Sequence, residues 1–148
     1  MLDIFDRVIV LKSSQFFSSV KTEDLAIVAK VLEEEDFSKG DIIFKRGDFG
    51  EQMFIVESGK IGISITDSGN HHDYVCVMQK GDCFGEMGLL DEQPRSAGAH
   101  VLEDSTLLVL SKEKLRTLIS NYPELSLGML KSLSLRLRDS NEKIQNRT

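Results

Sequence analysis

From Phe37 to Leu110 the apolar residues come in short runs rich in β-branched and aromatic side chains. These runs are punctuated by Gly40, Gly47, Gly59, Gly69 and Gly81, most of them beside Asp, Asn or Ser. The runs are Ile42-Ile43-Phe44, Met53 to Val56, Ile61 to Ile65, Tyr74 to Met78, Ala99 to Leu102 and Thr106 to Leu110. In the third, Ile61, Ile63 and Ile65 alternate with Gly62, Ser64 and Thr66, the period of two that sends one set of side chains to each face of a strand. Turns spaced about seven to twelve residues apart favour a β-sandwich or a rolled jelly-roll barrel over alternating β/α units.

The acidic turn Glu33 to Asp36 marks where a helical period gives way to this pattern. Ahead of it, Ile4, Phe5, Val8 and Ile9 predict an amphipathic helix over about Asp3 to Lys12, broken by Ser13-Ser14-Gln15. Thr22 can cap a second helix, with Glu23 and Asp24 at its positive end and Leu25, Val28, Ala29 and Leu32 on one face. Past Leu110 the helical period returns. Ser111 can cap a helix carrying Leu115, Leu118 and Ile119, and Asn121-Tyr122-Pro123 ends it and places Pro123 in the first turn of a last helix reaching about Gln145. On that helix Leu130, Leu133, Leu137, Ser140 and Ile144 follow coiled-coil spacing, but over only about two heptads. The same leucines could equally pack on the chain's own roll.

One stretch interrupts the β pattern: Phe84-Gly85-Glu86-Met87-Gly88-Leu89-Leu90-Asp91-Glu92-Gln93-Pro94-Arg95-Ser96-Ala97. Its glycines allow a sharp turn that brings backbone N–H groups against a ligand, and Met87-Leu89-Leu90 can wind into a short helix. Nine residues after Glu86, Arg95 stands among the small residues Ser96, Ala97, Gly98 and Ala99, with room for a planar guanidinium fork that suits phosphate. An ionised Glu86 only accepts hydrogen bonds, so it suits a sugar hydroxyl. A sugar hydroxyl with one phosphate charge describes a small nucleotide. The bland alternative is a surface loop closed by a Glu86 to Arg95 ion pair, worth about 0 to 1 kcal/mol.

These residues resemble the phosphate-binding cassette of the cyclic nucleotide-binding domain family, whose pattern is F-G-E, an apolar residue, Ala or Gly, two apolar residues, a variable loop and R-[ST]-A. The resemblance implies a mainly β fold, a double-stranded β-helix or jelly-roll-like β-roll with N-terminal helices, a short cassette helix and C-terminal lid helices. It implies one domain over residues 1–148: a helical segment over 1–36, the roll over 37–110 with its cassette at 84–97, and the closing helices over 111–148. Phe16-Phe17 sits where a bulky apolar contact links the first segment to the sheet. By the family's roles, Glu86 binds the ribose 2′-hydroxyl, Arg95 binds the cyclic phosphate, and amides near Gly88, Leu89, Ser96 and Ala97 complete the cradle, alongside Phe84, Gly85 and Met87. Arg136, Ser140 and Asn141 are the polar residues of the closing helix best placed to reach the base. Ser96 fits either guanine or adenine, and the similarity of Arg136 to Lys143 to the bacterial activators' base-contacting run favours cyclic AMP, with cyclic GMP second. That helix also forms the dimer in the bacterial activators, so a homodimer or an unidentified effector is an expected partner. Gly98 and His100 depart from the family pattern after the cassette, leaving the ligand positions intact.

A chain of 148 residues supports one real core. A net charge of −6 and a pI near 5.1 argue against nucleic-acid binding by this chain alone. An acidic N-terminus and apolar runs near four residues offer neither signal peptide nor membrane span, so a cytoplasmic protein is expected. Cys76 and Cys83 lie in apolar strand-like sequence and are expected as buried free thiols. His71-His72-Asp73 reads as a solvated hairpin turn, and with only His100 besides it supports no metal site. Neither a metal cluster nor an activated nucleophile is visible, so no catalytic residue, no catalytic cofactor and no enzyme is expected. The remaining alternative, a ligand-independent dimerisation or docking module of the same fold, gives no reason to keep a buried Arg95.

Overall fold

The computed structural model describes residues 2–65 and 74–146, without the side chains of residues 87, 88 and 142–146. The hairpin turn with His71, His72 and Asp73 lies outside the described residues. Helix α1 (Ile4–Ser13) opens on Asp3, whose carboxylate accepts from the Asp6 N–H. Helix α2 (Thr22–Val31) is capped one residue earlier than expected: Thr22 is its first residue and Lys21 holds the cap position without a side-chain hydrogen bond. The first turn closes through backbone alone, Leu25 N–H donating to the Lys21 carbonyl at 2.9 Å.

The expected acidic turn is instead strand β1 (Glu33–Phe37), paired antiparallel from Glu33 opposite Val109 to Phe37 opposite Ser105. Its charges are tolerable in a strand because partners meet them. Lys114 reaches Glu33 at 2.9 Å, Arg7 lies 3.9 Å from Glu34, and the Thr106 hydroxyl donates to Asp36 at 2.7 Å. The N-terminal helical segment therefore ends at Val31, not near residue 36.

Strands β2 (Ile42–Phe44), β3 (Gln52–Ser64), β4 (Tyr74–Met78), β5 (Cys83–Phe84) and β6 (Gly98–Ser111) complete an antiparallel sheet ordered β1-β6-β3-β4, with β2 on β6 and β5 on β3. The six expected runs are merged, since two pairs of them form single strands, β3 and β6. Gly59, expected to end a run, lies inside β3 at φ +94°, where an added Cβ would meet the Ser105 side chain and, at 2.7 Å, the Asp104 carbonyl. Register shifts gather there, between Val56 and Ile61, so the two long strands bend together and roll the sheet. The Ile61 alternation holds in part: Ile61 is buried and Ile63 half-buried, but Ile65 is exposed beyond the strand end, and Gly62 and Ser64 are also covered.

Alternate residues of the long strands feed two cores. Met53, Ile55, Leu108 and Leu110 pack against the helices together with Phe16 and Phe17, while Phe54, Val56, Leu107 and Val109 fill the roll. Ser111 caps α4 (Lys112–Asn121) by accepting from Lys114 N–H, and Pro123 opens α5 (Pro123–Asn146), as the sequence predicts. Between β5 and β6 lies the short helix α3 (Glu86–Asp91). On α5, Leu125, Met129 and Ser132 are buried, and the Ser132 hydroxyl accepts from Ser19 N–H at 3.0 Å. The leucine seam divides: Leu133 packs on the chain's own core, whereas Leu130 and Leu137 are 60% and 63% exposed. The Ile144 side chain lies outside the described residues. Cys76 is exposed on β4, contrary to the expected burial, because its strand is an edge paired only with β3 among the described residues; Cys83 is half-buried, and both thiols are free. No helix of the described residues is long and apolar enough to cross a membrane.

Candidate functional site

Arg95 enters the mouth of the roll on a pinned backbone. Its N–H donates to the Asp48 carbonyl at 2.7 Å, and its own carbonyl accepts from Gly47 N–H at 2.8 Å, fixing it to the loop between β2 and β3. The residue is 6% exposed, and its guanidinium lies 4.3 Å from the centre of the Phe44 ring. Behind Phe44, Phe54 and Phe84 stack at 5.2 Å, so the cation rests on an aromatic floor. Nη1 donates to the Gly85 carbonyl at 2.7 Å and Nη2 to the Gln52 carbonyl at 2.6 Å. Nε is buried without a partner. No carboxylate among the described residues reaches salt-bridge distance, and burial draws the pKa of Arg95 below its ordinary value against the more distant charges of Glu86 and Asp48.

Glu86, the first residue of α3, is 4% exposed. Gly85 before it takes φ +83°, a left-handed turn that sets the carboxylate facing into the roll and brings the Gly85 carbonyl to Arg95. Arg136 of α5 donates to Glu86 Oε1 at 2.7 Å. Beside them burial pushes the Cys83 thiol's pKa well up, and the Glu86 charge raises it further while Arg136 opposes. These groups enclose a cavity of about 200 Å³ with an apolar side at Phe44, Ile63 and Met78 and a polar side at Glu86, Arg95 and Arg136.

Of the expected site residues, Phe84, Gly85, Glu86, Arg95, Ser96, Ala97 and Arg136 line this cavity. Leu89 is buried in the helix-side core. The Met87 side chain and the surroundings of Gly88 lie outside what the structure describes. Ser140 and Asn141 are exposed on α5 beyond Arg136, and the cavity does not include them. Phe44, Gln52 and Gly50 were not singled out by sequence. At Gly50 an added Cβ would fall on the Arg95 guanidinium, so this position leaves space for the cation. The Gly47-Asp48-Phe49-Gly50 cluster carried a turn signal that could have pointed there.

What the arrangement offers is a fixed cation without a counter-ion among the described residues, a carboxylate acceptor facing it across a small cavity, and an apolar wall. Among the described residues no cluster of metal ligands occurs. The family model for the cyclic nucleotide-binding domain matches residues 34–122. The chain is similar to the cyclic AMP receptor protein of Thermus thermophilus, at 32% identity over 130 residues that cover 88% of this chain and 60% of the relative. It spans 60% of the length of the bacterial relatives it matches. In structure it resembles the N-terminal domain of a transcriptional regulator from Streptomyces coelicolor A3(2), with a TM-score of 0.80 and 27% identity over 90% of this chain and 95% of that one. It also resembles the regulatory domain of Toxoplasma gondii PKA crystallised with cAMP, with a TM-score of 0.71 and 27% identity over 80% of this chain and 46% of that one.

Proposed function

Because the chain belongs to the cyclic nucleotide-binding domain family, we propose that it is a regulatory sensor of cyclic AMP, with cyclic GMP the weaker ligand, that signals through its C-terminal helix. The observation that carries this reading is Arg95. Arg95 is 6% exposed, and among the described residues its guanidinium bonds only to carbonyls and leaves Nε unpartnered, so it is short of an anion in its cavity. A cyclic phosphate supplies that charge without bringing the second negative charge of a phosphate monoester. Glu86 then accepts from the ribose 2′-hydroxyl, and the base lies along the apolar wall at Ile63 and Met78.

A cavity of about 200 Å³ is smaller than the roughly 300 Å³ at which ligand pockets usually begin. Entry of the nucleotide therefore moves something, and the element that crosses the polar side is α5 through Arg136. Ser140 stands one helical turn beyond Arg136, about 6 Å along the axis, so a shift of α5 across the mouth brings Ser140 and Asn141 toward the base. The hydroxyl and the amide carbonyl there accept from the exocyclic amine of adenine. This is a lid whose position follows the ligand to the extent that the ligand prefers the closed form. The exposed Leu130 and Leu137 on the same helix favour a second copy of the chain or an effector as the reader of that movement.

Competition calorimetry with cyclic AMP and cyclic GMP tests the base assignment on the parent and on Ser140→Ala. Tighter cyclic AMP binding to the parent is expected, with Ser140→Ala weakening cyclic AMP by at most about tenfold and sparing cyclic GMP. Tighter cyclic GMP binding to the parent, or equal losses for both nucleotides in the variant, would remove adenine from the reading.

A further inference from the structure

Glu92 follows the last residue of α3 and takes φ +60°, the only non-glycine residue with positive φ among the described residues. A left-handed residue is a common way to end a helix, but glycine or asparagine usually fills the place, and a glutamate there carries a backbone cost. Two cations of α4 hold its side chain. Lys112 Nζ donates to Glu92 Oε1, and Arg116 Nη2 lies 3.7 Å from the same oxygen. Lys112 and Arg116 are one turn apart on α4, so they grip the carboxylate from a single helix face. The hydrogen bond from Lys112, followed by its charge, lowers the pKa of Glu92, keeping it ionised.

The residues on either side of Glu92 belong to the site. Asp91 and Gln93 both line the cavity, and the Asp91 carboxylate accepts from Gln93 N–H at 3.0 Å. Two residues further on stands Arg95. Lys112 has a second attachment, its backbone N–H donating to the Glu51 carbonyl at 2.8 Å, while the neighbouring Gln52 carbonyl accepts from Arg95 at 2.6 Å. The start of α4 thus touches both the loop leading to Arg95 and the strand that holds the guanidinium.

We propose that Glu92 is a positioning residue of the nucleotide site: clamped by Lys112 and Arg116, it fixes the path from the cassette helix to Arg95 and ties that path to α4. This rests on the cyclic nucleotide reading above. Ordinary helix termination would give Glu92 a different role, and glycine separates the two, because Gly adopts this φ freely but offers no carboxylate.

The test is cyclic AMP affinity, measured with thermal melting, for the parent, Glu92→Gln, Glu92→Gly, Glu92→Lys and Glu92→Lys with Lys112→Glu. At low salt, Glu92→Gln and Glu92→Gly should both weaken binding by about three- to tenfold with little change in melting. The deficit should shrink in about 0.5 M salt, where exposed charges are screened. Glu92→Lys should be weaker still, and adding Lys112→Glu should recover a good part of the loss. Parent-like affinity within twofold in Glu92→Gln, tighter binding in Glu92→Gly, or no recovery in the charge swap overturns the inference while the nucleotide reading stands. A parent that binds neither cyclic AMP nor cyclic GMP overturns both.

Discussion

Arg136 donates a 2.7 Å hydrogen bond to the Glu86 carboxylate, joining the long C-terminal helix to the cassette across 50 residues of chain. Glu86 is nearly buried while Arg136 is 42% exposed at its side chain, so the cassette supplies the buried end of the pair and α5 the exposed one. On the proposed reading a ribose hydroxyl shares this carboxylate with Arg136, which occupies Oε1.

Glu86→Gln keeps the side chain's size but replaces a charged acceptor by a neutral amide, so cyclic AMP should bind about 1.5 to 3 kcal/mol more weakly. The parent should lose a similar amount with 2′-deoxy cyclic AMP, and the two losses should not add, because they remove the same contact. Titration of both nucleotides against both proteins closes the cycle. Equal affinity of the parent for the ribo and deoxy forms would take Glu86 out of the sugar site.

Gly50→Ala separates folding from binding. The new Cβ falls on the Arg95 guanidinium, the end of a long side chain beside a cavity, so the clash is relieved by moving the cation. Stability should change by about 1 kcal/mol or less, while nucleotide affinity should fall about tenfold or more as Arg95 leaves its seat. Melting and titration of the same sample check this, and unaltered affinity would show that the position of Arg95 does not govern binding.

The two cysteines should respond unequally to a thiol reagent at pH 8. Cys76 is exposed, and its pKa is raised by partial burial and by Asp82. Cys83 is half-buried beside Glu86, and its pKa is raised further, chiefly by burial. A raised pKa leaves less of the reactive thiolate at a given pH, so Cys76 should label first and Cys83 should lag until the protein unfolds. Saturating cyclic AMP should slow Cys83 again, because the thiol borders the cavity. Mass spectrometry of the labelled peptides would expose the reverse order.

The cassette was legible because its chemistry is local. Glu86, Arg95 and the glycine before Glu86 are specified by residue type and spacing, and the structure brings Glu86 and Arg95 into one cavity. The helix ends were legible where a side chain does the capping, as at Ser111, and misplaced at Thr22, where the backbone alone closes the first turn. Strand β1 was hidden because Glu33-Glu34-Glu35-Asp36 has the composition of a turn. What makes it a strand is pairing with Thr106 to Val109, about 70 residues away, and cations from two helices. Gly59 signalled a turn by its residue type but serves as a bend inside a continuous strand, because Ser105 of the paired strand fills the space where a side chain would stand. Phe44 and Gly50 were not specified as site residues by their local sequence, beyond the turn signal around Gly50. Their part is set by where Arg95 comes to rest, and Arg95 reaches them only through the fold.

The most direct test is calorimetric titration of cyclic AMP into the parent domain and into Arg95→Ala. The variant leaves a bound phosphate without its principal cation, a loss of about 2 to 5 kcal/mol, or roughly thirty- to several thousandfold in affinity. Saturable binding with one nucleotide per chain in the parent and near-complete loss in the variant are expected if Arg95 holds the phosphate. Affinity of Arg95→Ala within about a factor of three of the parent would contradict that role.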